Sequence, residues 1–307
     1  MDKEILEKYV KAGQIAAEAL EKSKRLVVPG ASVLSIVEEL EALIKKKADL
    51  AFPINISINN VAAHFTPSKD SDLVIKDNDV VKVDIGVSVD GYIGDTATTI
   101  CLNKKYDKMC SANEKALEEA MKMCKPGAKL DDISKKINEV ITKAGYKPII
   151  NLTGHGLEQY NLHADPQIPN TDNDTGIVLE EDQVIAIEPF ATDGGGRVKE
   201  GDDALIFMLV RTGPLRSPAG REIIKYALER KGLPFAERWL PLKTRVQARL
   251  GLKELERRNY IYTYPVLKEI SDGIISQFEH TIIVKDVPII TTQLKEEKVV
   301  KNADSNH

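Results

Sequence analysis

Four acidic residues of this 307-residue chain stand where acids are out of place. Asp84 lies between Val83 and Ile85, and Asp95 follows Gly94 in the next apolar stretch. Glu188 is set in the run VIAIEPF and Glu279 in QFEHTII, both rich in β-branched residues. A carboxylate buried without a partner is costly, so each such position calls for a cation, a proton or the surface. One case would mean little, but three separate strand regions with embedded acids favour a metal site. Strand alternation puts Val81, Val83, Ile85 and Val87 on one face and Asp84 on the other. With Asp90-Gly91 as a two-residue turn, residue 84 pairs with 97. Asp95 is then the diagonal neighbour of Asp84 on the same face, roughly 7–8 Å away at the backbone. Taken alone, this pair also fits a solvent-facing hairpin.

Histidines supply the candidate nitrogen ligands. Of five, His155 is flanked by Gly154 and Gly156, so little bulk obstructs its ring, and it is the best ligand candidate. His163 follows eight residues later, and His64 closes the first strand region; both are open to a site role or a loop role. His280 alternates away from Glu279 and reads as structural, while His307 lies in the tail. Four carboxylates and one neutral imidazole carry a charge that two divalent ions balance. Such an oxygen-rich set suits Co, Mn, Fe, Ni or Zn better than a thiolate-dominated structural site. A carboxylate-bridged metal pair can hold a hydroxide at neutral pH and polarise a carbonyl, which is chemistry for hydrolysing an amide.

The elements that must position these residues follow from periodicity. Apolar stripes predict helices over 4–26 and 32–46, with Pro29-Gly30 between them, and a strand-like stretch over 52–61. The unit recurs at an offset of 97 residues: Ala19-Leu20-Glu21 and Pro29-Gly30-Ala31 map onto Ala116-Leu117-Glu118 and Pro126-Gly127-Ala128. Several matches at one offset indicate a duplicated half-domain. Strands are expected at 80–89, 92–102, 183–191 and 277–284. Helix pairs with antiparallel strands make the chain α+β.

Residues 211–262 differ in composition. They hold 13 Lys/Arg and 5 Asp/Glu, and nine of the eleven arginines. That is +8 against about −12 for the rest of a chain whose net charge is −4. Helical periodicity at 220–231 and 241–257 marks an insertion, 208–262, with its own small helical subdomain. The catalytic domain is then discontinuous, 1–207 and 263–307, with a polar tail from 301. The overall charge argues against a protein that coats nucleic acid or membrane. Three cysteines at irregular spacing give no disulfide framework, so a reducing, cytoplasmic setting is expected. The charged N-terminus carries no signal-peptide core, and no apolar run reaches the roughly 20 residues needed to span a bilayer.

As an ordered set, AFPIN at 51–55, NVAAHFTP at 60–67, VDIG at 83–86 with Gly94-Asp95, Gly154-His155-Gly156, His163, IEPF at 187–190 and QFEHT at 277–281 resembles the type 2 methionine aminopeptidases, over about residues 1–295. The resemblance implies the pita-bread fold of the creatinase/aminopeptidase type, whose pseudo-two-fold agrees with the repeat. It implies that Asp84, Asp95, His155, Glu188 and Glu279 are metal ligands, with Asp95 and Glu279 bridging two divalent ions. Glu188 would also act as general base. His64 and His163 would be catalytic residues outside the ligand set that bind the substrate amide, and His64 would be the residue alkylated by fumagillin-type epoxides. Phe52, Leu162, Phe190 and Tyr264 fall where the family lines its methionine pocket. The 91-residue gap between Glu188 and Glu279 holds the insertion of type 2 members, and the short N-terminus matches archaeal ones. The implied activity is removal of initiator methionine from nascent chains, by a cytoplasmic monomer. The basic insertion adds ribosome association as an expectation. Two rivals share the fold. Proline-specific peptidases carry an additional domain ahead of the residue matching His64, where this chain has only 63 residues. Inactive RNA- or protein-binding relatives lose ligands that this chain keeps.

Overall fold

The computed structural model describes residues 1–294, without the side chains of residues 202 and 203. The tail expected to be polar, with His307, lies outside the described residues. Helix α1 (Lys3–Leu26) and helix α2 (Val33–Lys45) form where the apolar stripes predict them. Ser32 caps α2, its hydroxyl accepting from Ser35 N–H. Helices α3 (Asp107–Lys122) and α4 (Leu130–Lys143) repeat the pair.

The duplication extends to hydrogen bonds. Gly30 and Gly127 have φ of +83° and +84°. Gly30 N donates to Ile75 O and Gly127 N to Leu179 O, both at 2.8 Å. Val33 N meets Leu73 O as Leu130 N meets Ile177 O. Each half thus clamps the start of its second helix to a returning segment in the same way, the pseudo-two-fold that the 97-residue offset predicts.

Each half has its own core. In the first, α1 and α2 bury Leu20, Val37 and Leu40 against Val81, Val83, Ile85 and Val87 of strand Val80–Val89. In the second, Leu117, Ile133 and Ile137 pack on Ile185, Ile187 and Ile282. Strands Val80–Val89 and Tyr92–Cys101 form the predicted hairpin, with Asp84 opposite Ala97 and Gly86 opposite Asp95. Asp90 and Gly91 both take positive φ, +53° and +90°, which is what this two-residue turn requires.

Three strand predictions change. The stretch 52–61 is a tight reversal, Asn55–Ile58 then Val61–Ala63, with Asn59 at φ +55°. The expected strand 183–191 breaks into Val184–Ile187 and Phe190–Thr192. The expected strand 277–284 breaks into Ile275–Gln277 and His280–Ile283. At both breaks the chain passes from one sheet to another, because Phe190–Thr192 pairs with Ile275–Gln277 and Val184–Ile187 with His280–Ile283. Glu188-Pro189 and Phe278-Glu279 are the crossing points. Buried Asn113 joins them, donating to Pro189 O at 2.9 Å and Ser276 O at 3.0 Å.

Between strands Val198–Leu209 and Ile261–Glu269, which pair with each other, lie helices α5 (Pro218–Glu229) and α6 (Arg245–Arg257). They enclose a separate apolar cluster of Phe207, Ile223, Phe235, Leu252, Leu255 and Ile261. Among the described residues no helix is long and apolar enough to cross a membrane.

Candidate active site

The two halves meet at one antiparallel bridge. Ala97 N donates to Glu279 O at 3.3 Å and Glu279 N to Ala97 O at 3.0 Å. This bridge brings Glu279 over the face of the hairpin that carries Asp84 and Asp95. Thr281 Oγ reinforces it, accepting from Asp95 N and donating to Asp95 O, each at 2.8 Å. Strand Thr153–Glu158 adds His155 by pairing with Val184–Ile187. The crossing at Glu188 adds the fourth acid.

His155 Nε2 lies 3.8 Å from Asp95 Oδ2 and 3.9 Å from Glu188 Oε1. Ligand atoms of Asp95, His155 and Glu279 all fall within 4.8 Å of one another. His155 Nδ1 donates to Gly156 O at 3.1 Å, so Nε2 is left unprotonated and aimed at the acids. Burial pushes the His155 imidazole down to about 3, helped by neighbouring His163. Asp84 is driven the other way, up to about 7, chiefly by burial. Asp95, Glu188 and Glu279 lie well above the usual carboxylate range, first from burial and then from the charge of neighbouring acids, Asp84 among them in each case.

This cluster is starved of cations. Among the described residues no lysine or arginine pairs with any of the four acids, and Asp84 Oδ1 and Asp95 Oδ1 are buried without a hydrogen-bond partner. Bare acceptor atoms on Asp84 and on Asp95, itself only 3% exposed, fit a divalent cation. Stripping divalent ions should therefore leave a pH-sensitive protein. Acids whose folded pKa is raised bind more protons in the native than in the unfolded state. Stability of the metal-free form is then expected to fall as pH rises from the ordinary carboxylate value near 4 to about 7, the value for Asp84. Added divalent metal should abolish the fall. Thermal melts of chelated and reloaded protein across that window check this; a metal-free melt that is flat or rises with pH contradicts it.

All eleven residues singled out from the sequence line one cavity. The ligand candidates Asp84, Asp95, His155, Glu188 and Glu279 form its floor. Above them stand His64 and His163, whose rings lie 5.3 Å and 6.0 Å from the ring of Tyr264. His163 is also edge-on to His155 at 4.8 Å. Phe52, Leu162, Phe190 and Tyr264 make the apolar wall. The Phe52 ring packs against Gly86, where an added Cβ would meet it at 2.1 Å.

Sequence reasoning missed part of the lining: Asn55, Ala63, Leu152, Ile206 and Pro234. Asn55 stands directly opposite Asp84 in the adjacent strand, a pairing hidden while 52–61 reads as one strand. Gln277 was seen only as part of a motif, yet its Nε2 lies 3.3 Å from Glu188 Oε2 and its presence pulls the Asp84 carboxyl down against the effect of burial. His280 sits apart from the acids, bonded through Nδ1 to Thr292 Oγ1 at 2.9 Å, as its alternation predicts.

The sequence profile of metallopeptidase family M24 matches residues 7–286. A methionine aminopeptidase of Pyrococcus horikoshii is 43% identical, over 94% of this chain and 99% of its own length. One of Thermococcus onnurineus is 45% identical, over 93% and 99%. The crystal structure of a methionine aminopeptidase from Thermotoga maritima superposes with a TM-score of 0.71 at 25% identity, covering 96% of this chain and 98% of that one.

Proposed function

The chain belongs to metallopeptidase family M24, among the type 2 methionine aminopeptidases, and we propose that Asp84, Asp95, His155, Glu188 and Glu279 are the residues that hold its divalent metal. It has the α+β pita-bread fold and is a metal-dependent aminopeptidase that removes N-terminal methionine from nascent proteins and from peptides with a small second residue. The observation that carries the site assignment is a floor of four buried carboxylates, each held above the usual range, with no cationic side chain to balance them among the described residues. Our reading takes two ions from among Co, Mn, Fe, Ni and Zn, which Asp84, Asp95, His155, Glu188 and Glu279 would hold between them.

When bound, such ions acidify the attacking water and polarise the scissile carbonyl. Glu188, steadied by Gln277 Nε2, takes a proton from that water and returns it to the departing amine. His64 and His163 stand at the mouth, and hydrogen bonds from them meet the charge that develops on the scissile amide. Phe52, Leu162, Phe190 and Tyr264 take an unbranched, polarisable thioether side chain. Loaded with divalent metal, the protein should cleave Met-Ala and Met-Gly peptides at least about tenfold faster than Met-Lys, Met-Trp or Leu-, Lys- and Phe-initiated ones. Comparable rates across these peptides, or a preference for Xaa-Pro substrates, would replace this reading with a general or proline-specific peptidase.

We also propose that the insertion, 208–262, is a small helical subdomain interrupting a discontinuous catalytic domain, 1–207 and 263–307, and that this cytoplasmic monomer uses it to dock on ribosomal RNA. Its +8 charge supports this. Three arginines of α6 and its C-terminal end pair with acids of the protein itself. Arg245 binds Glu237 at 2.6 Å and Asp70 at 2.6 Å, and Arg258 lies 3.6 Å from Glu254. Arg249 is 3.7 Å from Glu237. Arg257 and Lys253 are exposed on α6 and enter no ion pair among the described residues. Lys253→Glu with Arg257→Glu should weaken cosedimentation with large ribosomal subunits, most strongly at low salt, and leave short-peptide hydrolysis intact. Unchanged sedimentation of the double variant removes α6 as the docking face.

A further inference from the structure

One guanidinium joins the insertion to the wall of the cavity. Arg230 caps α5, and Lys231 and Gly232 come next with φ of +53° and +96°, a reversal that folds residue 234 back beneath it. Its Nη2 donates to Leu50 O at 2.6 Å, to Ala51 O at 3.2 Å and to Pro234 O at 3.1 Å, and its Nε reaches Pro234 O at 3.3 Å. The plane lies 5.4 Å from the ring of Trp239, whose own N–H is spent on Glu41. Among the described residues Arg230 makes no ion pair with a carboxylate. A half-buried arginine satisfied by three carbonyls and an aromatic face acts through geometry more than through charge pairing.

The carbonyls it gathers belong to segments that line the cavity. Leu50 and Ala51 immediately precede Phe52, and Pro234 lines the same cavity from the insertion side. Ala51 N already donates to Gly86 O at 2.8 Å, and Gly86 is the floor on which the Phe52 ring rests. Arg230 thus ties the backbone leading into Phe52 to the backbone at Pro234, so that two segments lining the side-chain slot are held in one fixed relation. We propose that Arg230 is a positioning residue that sets the width of the methionine slot, so that the insertion helps determine selectivity at the N-terminal residue. The proposal rests on the reading that Phe52 and its neighbours form that slot. Lysine is a poor substitute, since its flexible ammonium lacks the second nitrogen that reaches Pro234 O and the flat face that lies over Trp239.

The test compares Arg230→Ala, Arg230→Lys and Phe52→Ala with the wild type, all metal-loaded, on matched peptides beginning with Met, norleucine or Leu. Arg230→Ala should raise KM for the Met peptide and lower the Met-over-Leu preference in kcat/KM by about tenfold, the discrimination that a misplaced methylene-sized gap removes. Its kcat on the Met peptide and its metal content should stay unchanged. Methylguanidinium should restore much of the preference, and Arg230→Lys should recover little of it. A lower melting temperature with KM and preference intact would make Arg230 a purely structural tie and overturn the proposal. If Phe52→Ala alters the preference and Arg230→Ala does not, the slot stands and the clamp falls. If neither alters it, the slot assignment fails and takes the clamp with it.

Discussion

Asp95→Asn is expected to lower turnover by more than about 100-fold, the upper end of what is lost when a residue merely supporting a ligand is changed. Glu279→Gln should do the same. The fold should survive both changes, because the main chain at these positions is held independently of the carboxylates. Asp95 N and O are both bonded to Thr281 Oγ1, and Glu279 N and O to Ala97 and Thr96. A second expectation separates a metal ligand from an ordinary buried acid. Burial and the charges of Asp84 and Glu188 hold Asp95 well above its ordinary range, so its ionised form opposes folding when no cation is present. At pH 7 the metal-free Asn variant should therefore melt above the metal-free wild type, and added metal should stabilise the wild type far more than the variant. Paired melts with and without divalent ions, alongside kcat/KM, read both effects. Near-normal activity would sink the shared-ligand assignment, and a metal-free variant less stable than metal-free wild type would show that Asp95 serves the fold.

How the sequence announces this site differs from one ligand to the next. Asp84 and Asp95 are legible because a two-residue turn fixes the register of a regular hairpin, and alternation then assigns faces. Glu188 and Glu279 are legible as misplaced acids, but their geometry is not. Alternation over 183–191 and 277–284 implies continuous strands, whereas the chain leaves one sheet for another at each carboxylate. Pro189, with no N–H to give a ladder, is the one local hint of the first crossing. Nothing local hints at the second, which depends on Asn113 of a distant helix holding Ser276 O. The pseudo-symmetry was visible as a 97-residue offset, yet the returning segments obey a different one: Ile75 corresponds to Leu179. A single-offset comparison finds the helices and loses the strands. Pro234 and Ile206 were out of reach for another reason. Pro234 comes from an insertion whose composition speaks of its surface and Ile206 from the strand that leads into it, and each adds an uncharged side chain that no motif marks. The arginine count misleads in the same way, since Arg238 is buried against Glu41 and Arg245 bridges to Asp70.

His64→Ala should cost about 10²–10³-fold in kcat, the range for removing one preorganised donor to a developing oxyanion, with metal content near normal. The residue stands apart from the ligand cluster and is tethered elsewhere: Nδ1 donates to Pro265 O at 3.1 Å, and the ring is edge-on to Tyr264. With Nδ1 engaged, Nε2 is the polar atom left to face the cavity. Burial pushes the imidazole down to about 4, so at neutral pH it acts as a neutral group and competes little with the metal for the acids below. Its backbone carries a cost, since φ is +65°, a region that side chains with a Cβ seldom adopt. Alanine at that φ could therefore lose activity by relaxing the loop. His64→Asn is the control, because asparagine tolerates the left-handed region while lacking the imidazole. Both variants should lose kcat to a similar degree and retain metal, and only the alanine variant should melt lower. A fumagillin-type epoxide should alkylate the wild type on His64, shown by peptide mapping, and leave both variants unmodified. An asparagine variant with full kcat would assign the loss in the alanine variant to the backbone and leave His163 as the donor to the substrate amide.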